Sequence, residues 1–202
     1  EFPSGAVLGF GEDSANNICL MCHQGRESGL SVSSRISSAG VGDDEVSESL
    51  RFINPHYFAT GASLFGTQAQ GAFEFEGMDY NGYFEHTRRF DECSDCHMPH
   101  AATIRFEECS DCHEEVETLD DISLIRAHPD DKDRVDYDGD GDMDEPIAME
   151  LATLEEVLFS LIQDYAPNTI GTSIVYDEHA YPYFFTDLNG DGVADPDEAN
   201  YG

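Results

Sequence analysis

Apolar residues recur at helical spacing in one long stretch of the chain. Between residues 146 and 165 they follow the i, i+3/i+4 pattern of an amphipathic helix. Pro146 suits a first helical position, and the preceding Asp144 and Glu145 favour the positive end of the helix dipole. The segment 166–168, Ala-Pro-Asn, is expected to stop this helix. Its apolar positions are Ile147, Leu151, Leu154, Leu158, Leu161, Ile162 and Tyr165.

The remainder of the chain has few long periodic segments. Residues 1 to about 118 are rich in Gly, Ser and short polar stretches, which predicts loops and short helices. Two short strands are predicted, over residues 172–176 and 183–186. The predicted fold class is therefore mostly irregular, with short α-helices, one long helix at about 146–165 and little β-structure.

Three motifs of the form Cys-x-x-Cys-His carry the strongest chemical signal. This spacing is the attachment signature of c-type haem. Two thiols on one turn add across the two vinyl groups of a haem, and the following His lies under the iron as its proximal ligand. The three motifs use all 6 cysteines, so none remains for a disulfide. The motif residues are Cys19, Cys22, His23, Cys93, Cys96, His97, Cys109, Cys112 and His113.

Zinc binding is the alternative interpretation of these cysteines. The second and third pairs are separated by twelve residues, a spacing that also suits a zinc ribbon. Zinc does not require a His directly after each second Cys, however, and the first pair would lack a partner pair. The sequence therefore favours three covalent haem c groups, around which the loops and short helices wrap.

Net charge narrows the classes of partner. The chain has 43 acidic and 9 basic residues, which gives a formal net charge of -34. So negative a surface argues against nucleic acid or an anionic membrane as partner. It suits divalent cations, basic proteins or simple solubility. No apolar run approaches the roughly 20 residues of a membrane-spanning helix.

A local repeat surrounds the second and third motifs. The stretch 89–97 recurs sixteen residues later as 105–113. Because repeated sequence usually means repeated local structure, the second and third haems are expected to be close neighbours on similar turns. The first haem needs the intervening chain to bring it near. Two regions are predicted: residues 1–118 as a triheme cytochrome c region, and residues 119–202 as an acidic region with the long helix and calcium loops.

Each haem iron has a sixth ligand position, and five histidines outside the motifs are candidates for it. Three of them would make every haem bis-histidine. His100 follows His97 so closely that it is expected to ligate an adjacent haem. The preferred distal ligands are His56, His86 and His100. His128 and His179 lie in the Cys-free region and are weaker candidates, which could ligate a haem in another subunit. Methionine is the rival ligand type.

Two acidic loops predict one or two calcium sites. The stretch 187–198 matches the EF-hand loop at positions 1, 3, 5, 6, 9 and 12. The stretch from 136 begins in the same way but has Ile147 at position 12, so that Glu145 is early and Glu150 late for the closing ligand. We expect structural sites rather than calcium sensors. The candidate ligands are Asp136, Asp138, Asp140, Asp142, Glu150, Asp187, Asn189, Asp191, Asp195 and Glu198.

Several stretches together resemble exported multihaem c-type cytochromes. They lie around the first motif, at 54–57, 82–86 and 95–100, and in the tail at 180–192. The resemblance implies His56, His86 and His100 as distal ligands. Some cytochromes of the wider class form extracellular filaments of stacked haems, which implies a homopolymer as one option. Some relatives are longer at the C-terminus, so that a chain trimmed or incompletely ordered at Gly202 is one expectation from the resemblance.

The sequence thus predicts an electron carrier rather than an enzyme, with redox proteins or an extracellular acceptor as partners. Covalent haem attachment occurs outside the cytoplasmic membrane in prokaryotes, so an exported protein is expected, extracellular or at the cell surface rather than periplasmic. Glu1-Phe2-Pro3 resembles a mature terminus left by processing. The alternatives are a multihaem reductase with one open iron, a soluble periplasmic shuttle, and a calcium-dependent binding or assembly module. The chain has only 9 Lys and Arg residues, and this small number counts against a reductase that binds an anionic substrate.

Overall fold

The computed structural model describes residues 1–56, 58–84, 86, 90–126 and 135–199. Among the candidate ligands, His128 lies outside these residues. The chain divides into two compact units, residues 1–95 and residues 96–199. The predicted boundary at residue 118 separates haem motifs from acidic loops rather than compact units, and it stays a prediction.

Short helices joined by loops form the first unit. Its helices are α1 (Asn17–His23), α2 (Gly29–Ala39) and α3 (Thr60–Phe65), followed by a short 3₁₀ turn at Gly66–Gln68. Helix α4 (Cys93–Cys96) spans the end of this unit and the start of the next.

A small aromatic cluster forms the core of the first unit. Phe2, Leu20, Phe65 and Ala69 are buried together. Phe65 lies at the centre, because its ring centroid is 5.7 Å from that of Phe2 and 5.0 Å from that of Tyr83. Leu20 belongs to the first Cys-x-x-Cys-His motif, so this motif is anchored directly in the core.

The second unit contains two small hairpins and the long helix. Its helices are α5 (Phe106–Cys109), a 3₁₀ helix at Leu119–Leu124, α6 (Ile147–Tyr165) and a 3₁₀ turn at Pro196–Glu198. Strand β1 (His97–Met98) pairs antiparallel with β2 (Thr103–Ile104), and β3 (Ile174–Tyr176) with β4 (Phe184–Thr186). The last two strands lie within the ranges that the sequence predicts.

Helix α6 follows its predicted extent closely, with two differences. Pro146 is the N-cap residue, with extended ψ of 150°, rather than the first helical residue. After Tyr165 the chain makes one π-helical turn, Ala166–Ile170, before Gly171 ends it at φ 82°. A proline near the start of this turn lacks the N–H that would continue the α-helical pattern.

Within the described residues of the second unit, the apolar side chains of α6 are largely exposed. Leu151, Leu158 and Leu161 keep 53%, 59% and 60% of their surface, whereas Glu150 is fully buried. An amphipathic helix normally buries its apolar stripe, so this helix departs from the pattern. The first turn of α6 is anchored in the second unit by the buried side chain of Glu150 instead.

The fold class is as predicted in its coarse features: mostly irregular, with short helices and little strand. Wrapping around haem and a calcium-loop region stay predictions. In the described ranges, no helix combines the length and apolar character needed to cross a bilayer.

Candidate haem motifs and acidic loops

The first motif places its three reactive side chains on one face of α1. Residues i, i+3 and i+4 of a helix are neighbours on its surface, and Cys19, Cys22 and His23 have this spacing within α1. Leu20 points away from them into the core at 6% exposure, while Cys22 and His23 are exposed. The helix is therefore anchored on one side and presents two thiols and an imidazole on the other.

His23 is held by the backbone in the orientation that a metal ligand needs. Its Nδ1 lies 2.8 Å from the carbonyl oxygen of Phe58. A neutral imidazole that donates from Nδ1 keeps its lone pair on Nε2, and histidines that bind metals nearly always donate their other ring N–H in this way. The donor set of the first motif therefore fits a c-type haem, with His23 as proximal ligand through Nε2.

Gly61 allows α3 to approach the motif helix. A Cβ at this position would lie 2.7 Å from Leu20 Cδ2 and 2.8 Å from the carbonyl oxygen of His23. Both distances are shorter than real Cβ contacts, and the second involves backbone that cannot rotate away. The close packing of α1 on α3 therefore requires glycine here.

The second motif changes secondary structure within its five residues. Cys93 and Cys96 are the ends of α4, and His97 starts strand β1, where its backbone pairs with Ile104. Asp95 caps the segment, since its Oδ2 accepts a hydrogen bond from the Glu92 amide at 2.8 Å. His97 is exposed.

A buried asparagine joins the first two motifs. Asn16, directly before α1, is 5% exposed. Its Nδ2 donates to Glu92 Oε2 at 2.6 Å and to Ser94 Oγ at 3.1 Å, and its Oδ1 accepts from the Ser94 amide at 2.8 Å. Glu92 and Ser94 flank Cys93. The hydrogen bonds of Asn16 thus bring the start of the first motif to the start of the second, although Asn16 carries no recognisable sequence signature.

As a result, the thiols of Cys19 and Cys93 lie close enough for a hydrogen bond between them. Burial raises the pKa of the Cys93 thiol to about 11, and the neighbouring Cys19 adds to this effect. Both thiols belong to the first position of their motifs. The first cysteines of two motifs that are 74 residues apart in sequence therefore share one local environment.

The third motif is built differently from the second, although their sequences repeat. Helix α5 ends at Cys109, whereas α4 begins at Cys93. The chain then turns tightly, with the amide of His113 donating to the carbonyl of Cys109 at 2.9 Å, and Val116 behind the turn is fully buried. The expectation of similar turns is wrong in this respect, because the second motif continues into a strand that pairs with β2.

Acidic side chains surround the third motif. His113 Nδ1 lies 3.6 Å from Glu115 Oε1, which again places an oxygen acceptor beside the Nδ1 of a motif histidine. Burial raises the pKa of the Cys109 thiol, and the carboxylates of Glu107 and Glu108 raise it further.

The candidate distal ligands in the described residues are all exposed. His56 has a φ of 73° and its amide donates to Asn54 Oδ1 at 2.7 Å. The ring of His86 lies 5.8 Å from that of Phe90. His100 lies in the turn between β1 and β2, and the His179 side chain is 84% exposed beside Glu178. Their assignment to particular irons stays a prediction.

The first acidic loop wraps its own backbone amides around carboxylates. Asp136 accepts hydrogen bonds from Gly139 at 2.6 Å and from Gly141 at 2.9 Å. Burial opposes ionisation of Asp136, but these amide hydrogen bonds outweigh it and lower its pKa. Glu150, in the first turn of α6, closes the loop by accepting from the Asp138 amide at 3.1 Å.

The second acidic loop repeats this pattern of hydrogen bonds. Asp187 accepts from Gly190 at 2.7 Å and from Gly192 at 3.3 Å, while Glu198 accepts from the Asn189 amide at 3.3 Å. Like Glu150, Glu198 is buried, at 5% exposure. The closing glutamate therefore comes at position 12 in the second loop, as Glu198, and three positions later in the first loop, as Glu150.

Carboxylate oxygens converge in the first loop. One oxygen each from Asp136, Asp138 and Glu150 lie within 4.8 Å of one another, and so do oxygens of Asp138, Asp140 and Glu145. Asp138 Oδ2 and Glu145 Oε1 are buried without a hydrogen-bond partner. Burial raises the pKa of Glu145, and the charges of Asp138 and Asp140 raise it further. Glu145, which comes early for the closing ligand of an EF-hand loop, is a further candidate ligand that the sequence pattern did not predict.

Arg126 holds this loop against α6. Its Nη2 lies 3.2 Å from Glu150 Oε1, in a pair whose two side chains are 12% and 1% exposed. It also donates to the carbonyl of Val135 at 3.2 Å and to the carbonyl of Glu145. Because Glu150 lies 24 residues after Arg126, no local pattern predicts this pair.

Comparison with known proteins finds similarity to polyhaem cytochromes over nearly the whole chain. The chain is 24% identical over 196 residues to the C-type polyheme cytochrome OmcC of Geobacter sulfurreducens, covering 91% of this chain and 22% of that protein. It is 24% identical over 213 residues to the C-type polyheme cytochrome OmcB of the same species, covering 95% of this chain and 24% of that protein. The chain thus matches less than a quarter of the length of these curated relatives. No protein-family model and no solved structure matches.

This similarity agrees with the three Cys-x-x-Cys-His motifs and with the orientation of His23. It favours covalent haem c over a zinc ribbon at these motifs.

Proposed function

We propose that this chain carries electrons through three covalently bound haems, each with two histidine ligands. The observation that supports this most directly is the first motif: Cys19, Cys22 and His23 share one helix face, and the Phe58 carbonyl holds His23 Nδ1 at 2.8 Å. The polyhaem relatives point to the same class of protein.

The bound haem supplies reversible one-electron exchange at its iron. The protein's own groups fix where this happens and at what potential. Two thioether bonds per motif hold each macrocycle on its turn, and the Phe58 carbonyl orients the His23 ring and raises its basicity. The acidic surface, with a net charge of -34, stabilises the more positive ferric state and lowers the potentials. Two imidazole ligands lower them further than a His/Met pair would.

The distal ligands are testable by spectroscopy. With His56, His86 and His100 on three irons, the reduced protein is fully low-spin and its spectrum does not change under carbon monoxide. Substituting His100→Ala opens one iron and makes about one third of the haem sensitive to carbon monoxide. The matched control is His179→Ala, which leaves the spectrum unchanged in the monomer. A wild-type protein with one carbon monoxide-sensitive haem would instead support the reductase.

We also propose that the two acidic loops bind calcium. Hard oxygen ligands converge in the first loop, and the unpartnered oxygens of Asp138 and Glu145 are the groups that a divalent cation would satisfy. The ligands come from Asp136, Asp138, Asp140, Asp142, Glu145 and Glu150 in this loop. In the second loop they are Asp187, Asn189, Asp191, Asp195 and Glu198.

Calorimetric titration of the metal-depleted holoprotein with calcium tests this proposal. Glu145→Gln is expected to weaken one site by about tenfold or more, because it removes a ligand charge. Glu155→Gln is the matched control, since Glu155 is an exposed residue on α6. Absence of any calcium binding in the wild type would contradict the proposal.

We also propose that the protein is exported and that its partner is a redox protein or an extracellular acceptor. A third proposal is that copies of the chain assemble into filaments. His179 supports the last of these, because its exposed imidazole could ligate a haem of a second copy. Negative-stain electron microscopy of concentrated holoprotein would show filaments, and sedimentation of a single monomeric species would contradict assembly.

A further inference from the structure

The hydrogen bonds of Asn16 form a clamp between two motifs that are distant in sequence. Three of them reach the residues on either side of Cys93: Glu92 Oε2 at 2.6 Å, Ser94 Oγ at 3.1 Å and the Ser94 amide at 2.8 Å. Ser14 adds a fourth bond to the same carboxylate, Glu92 Oε1, at 2.9 Å. We call Ser14, Asn16, Glu92 and Ser94 the Asn16 clamp.

Every polar atom of the Asn16 side chain is used by this clamp. A buried amide that loses such partners leaves its neighbours unsatisfied, at a cost of about 1–3 kcal/mol for each group. Because Asn16 directly precedes α1 and Glu92 directly precedes α4, the clamp fixes the starts of the two motif helices against each other. The first cysteine of each motif follows within a few residues, and the two thiols lie within reach of each other.

From this geometry we propose that Asn16 is a positioning residue that holds the haems of the first and second motifs edge to edge. Each first cysteine would bond one vinyl group of its haem, so the neighbouring thiols of Cys19 and Cys93 would hold the two haems by edges that lie close together. The sequence repeat points to the second and third motifs as the neighbouring pair, whereas the clamp adds the first and second. Such a pair would support the transfer of one electron between the two irons, a step that makes or breaks no bond. The inference rests on the proposed haem attachment.

Circular dichroism in the Soret band of the holoprotein tests the pairing. Neighbouring haems couple and give a couplet of opposite signs, which an isolated haem does not give. The parent for this test lacks the third haem through Cys109→Ala with Cys112→Ala, so that only the first two haems contribute. This parent is expected to keep two haems and a couplet. Two bound haems without a couplet would overturn the pairing while leaving haem attachment intact, and no covalent haem would overturn the proposed function itself.

The role of Asn16 is tested on the same parent. Asn16→Ala is expected to reduce the couplet by about twofold or more. The matched control is Asn17→Ala, which loses hydrogen bonds to Phe10 and Gly11 at the same helix end but none to the second motif. An equal effect of both substitutions, or no effect of Asn16→Ala at unchanged haem content, would overturn the proposal.

An exchange of partners separates positioning from general stability. Asn16→Asp alone places a second carboxylate against Glu92 and is expected to reduce the couplet. Combining it with Glu92→Gln restores one donor and one acceptor across the clamp, so the couplet is expected to return towards the parent value. If the combined variant keeps two haems but behaves like Asn16→Asp alone, the clamp does not position the haems. Should the single variants lose haem during maturation, the combined variant and the parent still decide the question.

Discussion

The Phe58 carbonyl illustrates how a residue far from a motif completes it. Phe58 lies 35 residues after His23, and its φ of 58° is in the left-handed region that few side chains adopt. That conformation aims a backbone oxygen at the imidazole. Strain of this kind persists where the surrounding structure determines it, and here it orients the imidazole that we propose as an iron ligand.

Because Cys22 is exposed, its replacement tests haem attachment at a single residue. Because Cys22 is exposed while Leu20 carries the packing of α1, Cys22→Ala should remove one thioether bond without unfolding the helix. One haem then keeps an unreacted vinyl group, and the reduced α-band of about one third of the haem shifts to longer wavelength. Visible spectra of the reduced protein measure this shift.

Met21→Ala is the control for this substitution, because Met21 is 66% exposed in the same turn and forms no bond to haem. An unshifted α-band in Cys22→Ala, with full haem content, would contradict attachment through this cysteine.

At the scale of elements, α1 and α3 form a pair that depends on one glycine. Alanine is intrinsically better than glycine within a helix by about 1 kcal/mol, so Gly61→Ala would stabilise α3 if space allowed. The contacts with Leu20 and the His23 carbonyl do not allow it. Overpacking of this kind typically costs about 1–3 kcal/mol, so the substitution is expected to destabilise the first unit.

Urea unfolding of the holoprotein measures this prediction. Gly42→Ala is the matched control, because nothing lies within 4 Å of a Cβ at Gly42, and its stability should stay within about 0.5 kcal/mol of wild type. A Gly61→Ala protein as stable as this control would show that α1 and α3 are not packed as described.

Helices and strands could be predicted from local sequence patterns, whereas contacts between residues distant in sequence could not. The apolar spacing of residues 147–165 and the bounds of β3 and β4 depend on near neighbours in sequence. The Asn16 clamp spans 76 residues to Glu92, and a polar side chain before a helix is usually only a cap. The same limit explains Glu145, whose place in the acidic loop depends on the distant Arg126.

At the scale of the whole molecule, charge couples stability to cations. A chain with 43 acidic and 9 basic residues repels itself, and the acidic loops concentrate that repulsion, as the raised pKa of Glu145 and Asp195 shows. Burial comes first among the causes for both groups, followed by neighbouring carboxylates. Bound calcium would neutralise these clusters.

Calcium should therefore raise the thermal stability of the holoprotein. At a free concentration 100 times the dissociation constant, one site adds about 2.7 kcal/mol. Scanning calorimetry with calcium and with a chelator measures the difference in Tm. Sodium chloride at equal ionic strength is the control for screening, and an equal rise in Tm with sodium alone would contradict specific binding.

All the proposed redox properties depend on the covalent binding of one haem by each Cys-x-x-Cys-His motif. Intact-mass spectrometry of the denatured chain, purified from a host with haem-maturation machinery, tests it most directly. The expected mass is that of the polypeptide plus three haems, falling to two haems when Cys19 and Cys22 are both replaced by alanine. A bare polypeptide mass, with zinc released on denaturation, would contradict it.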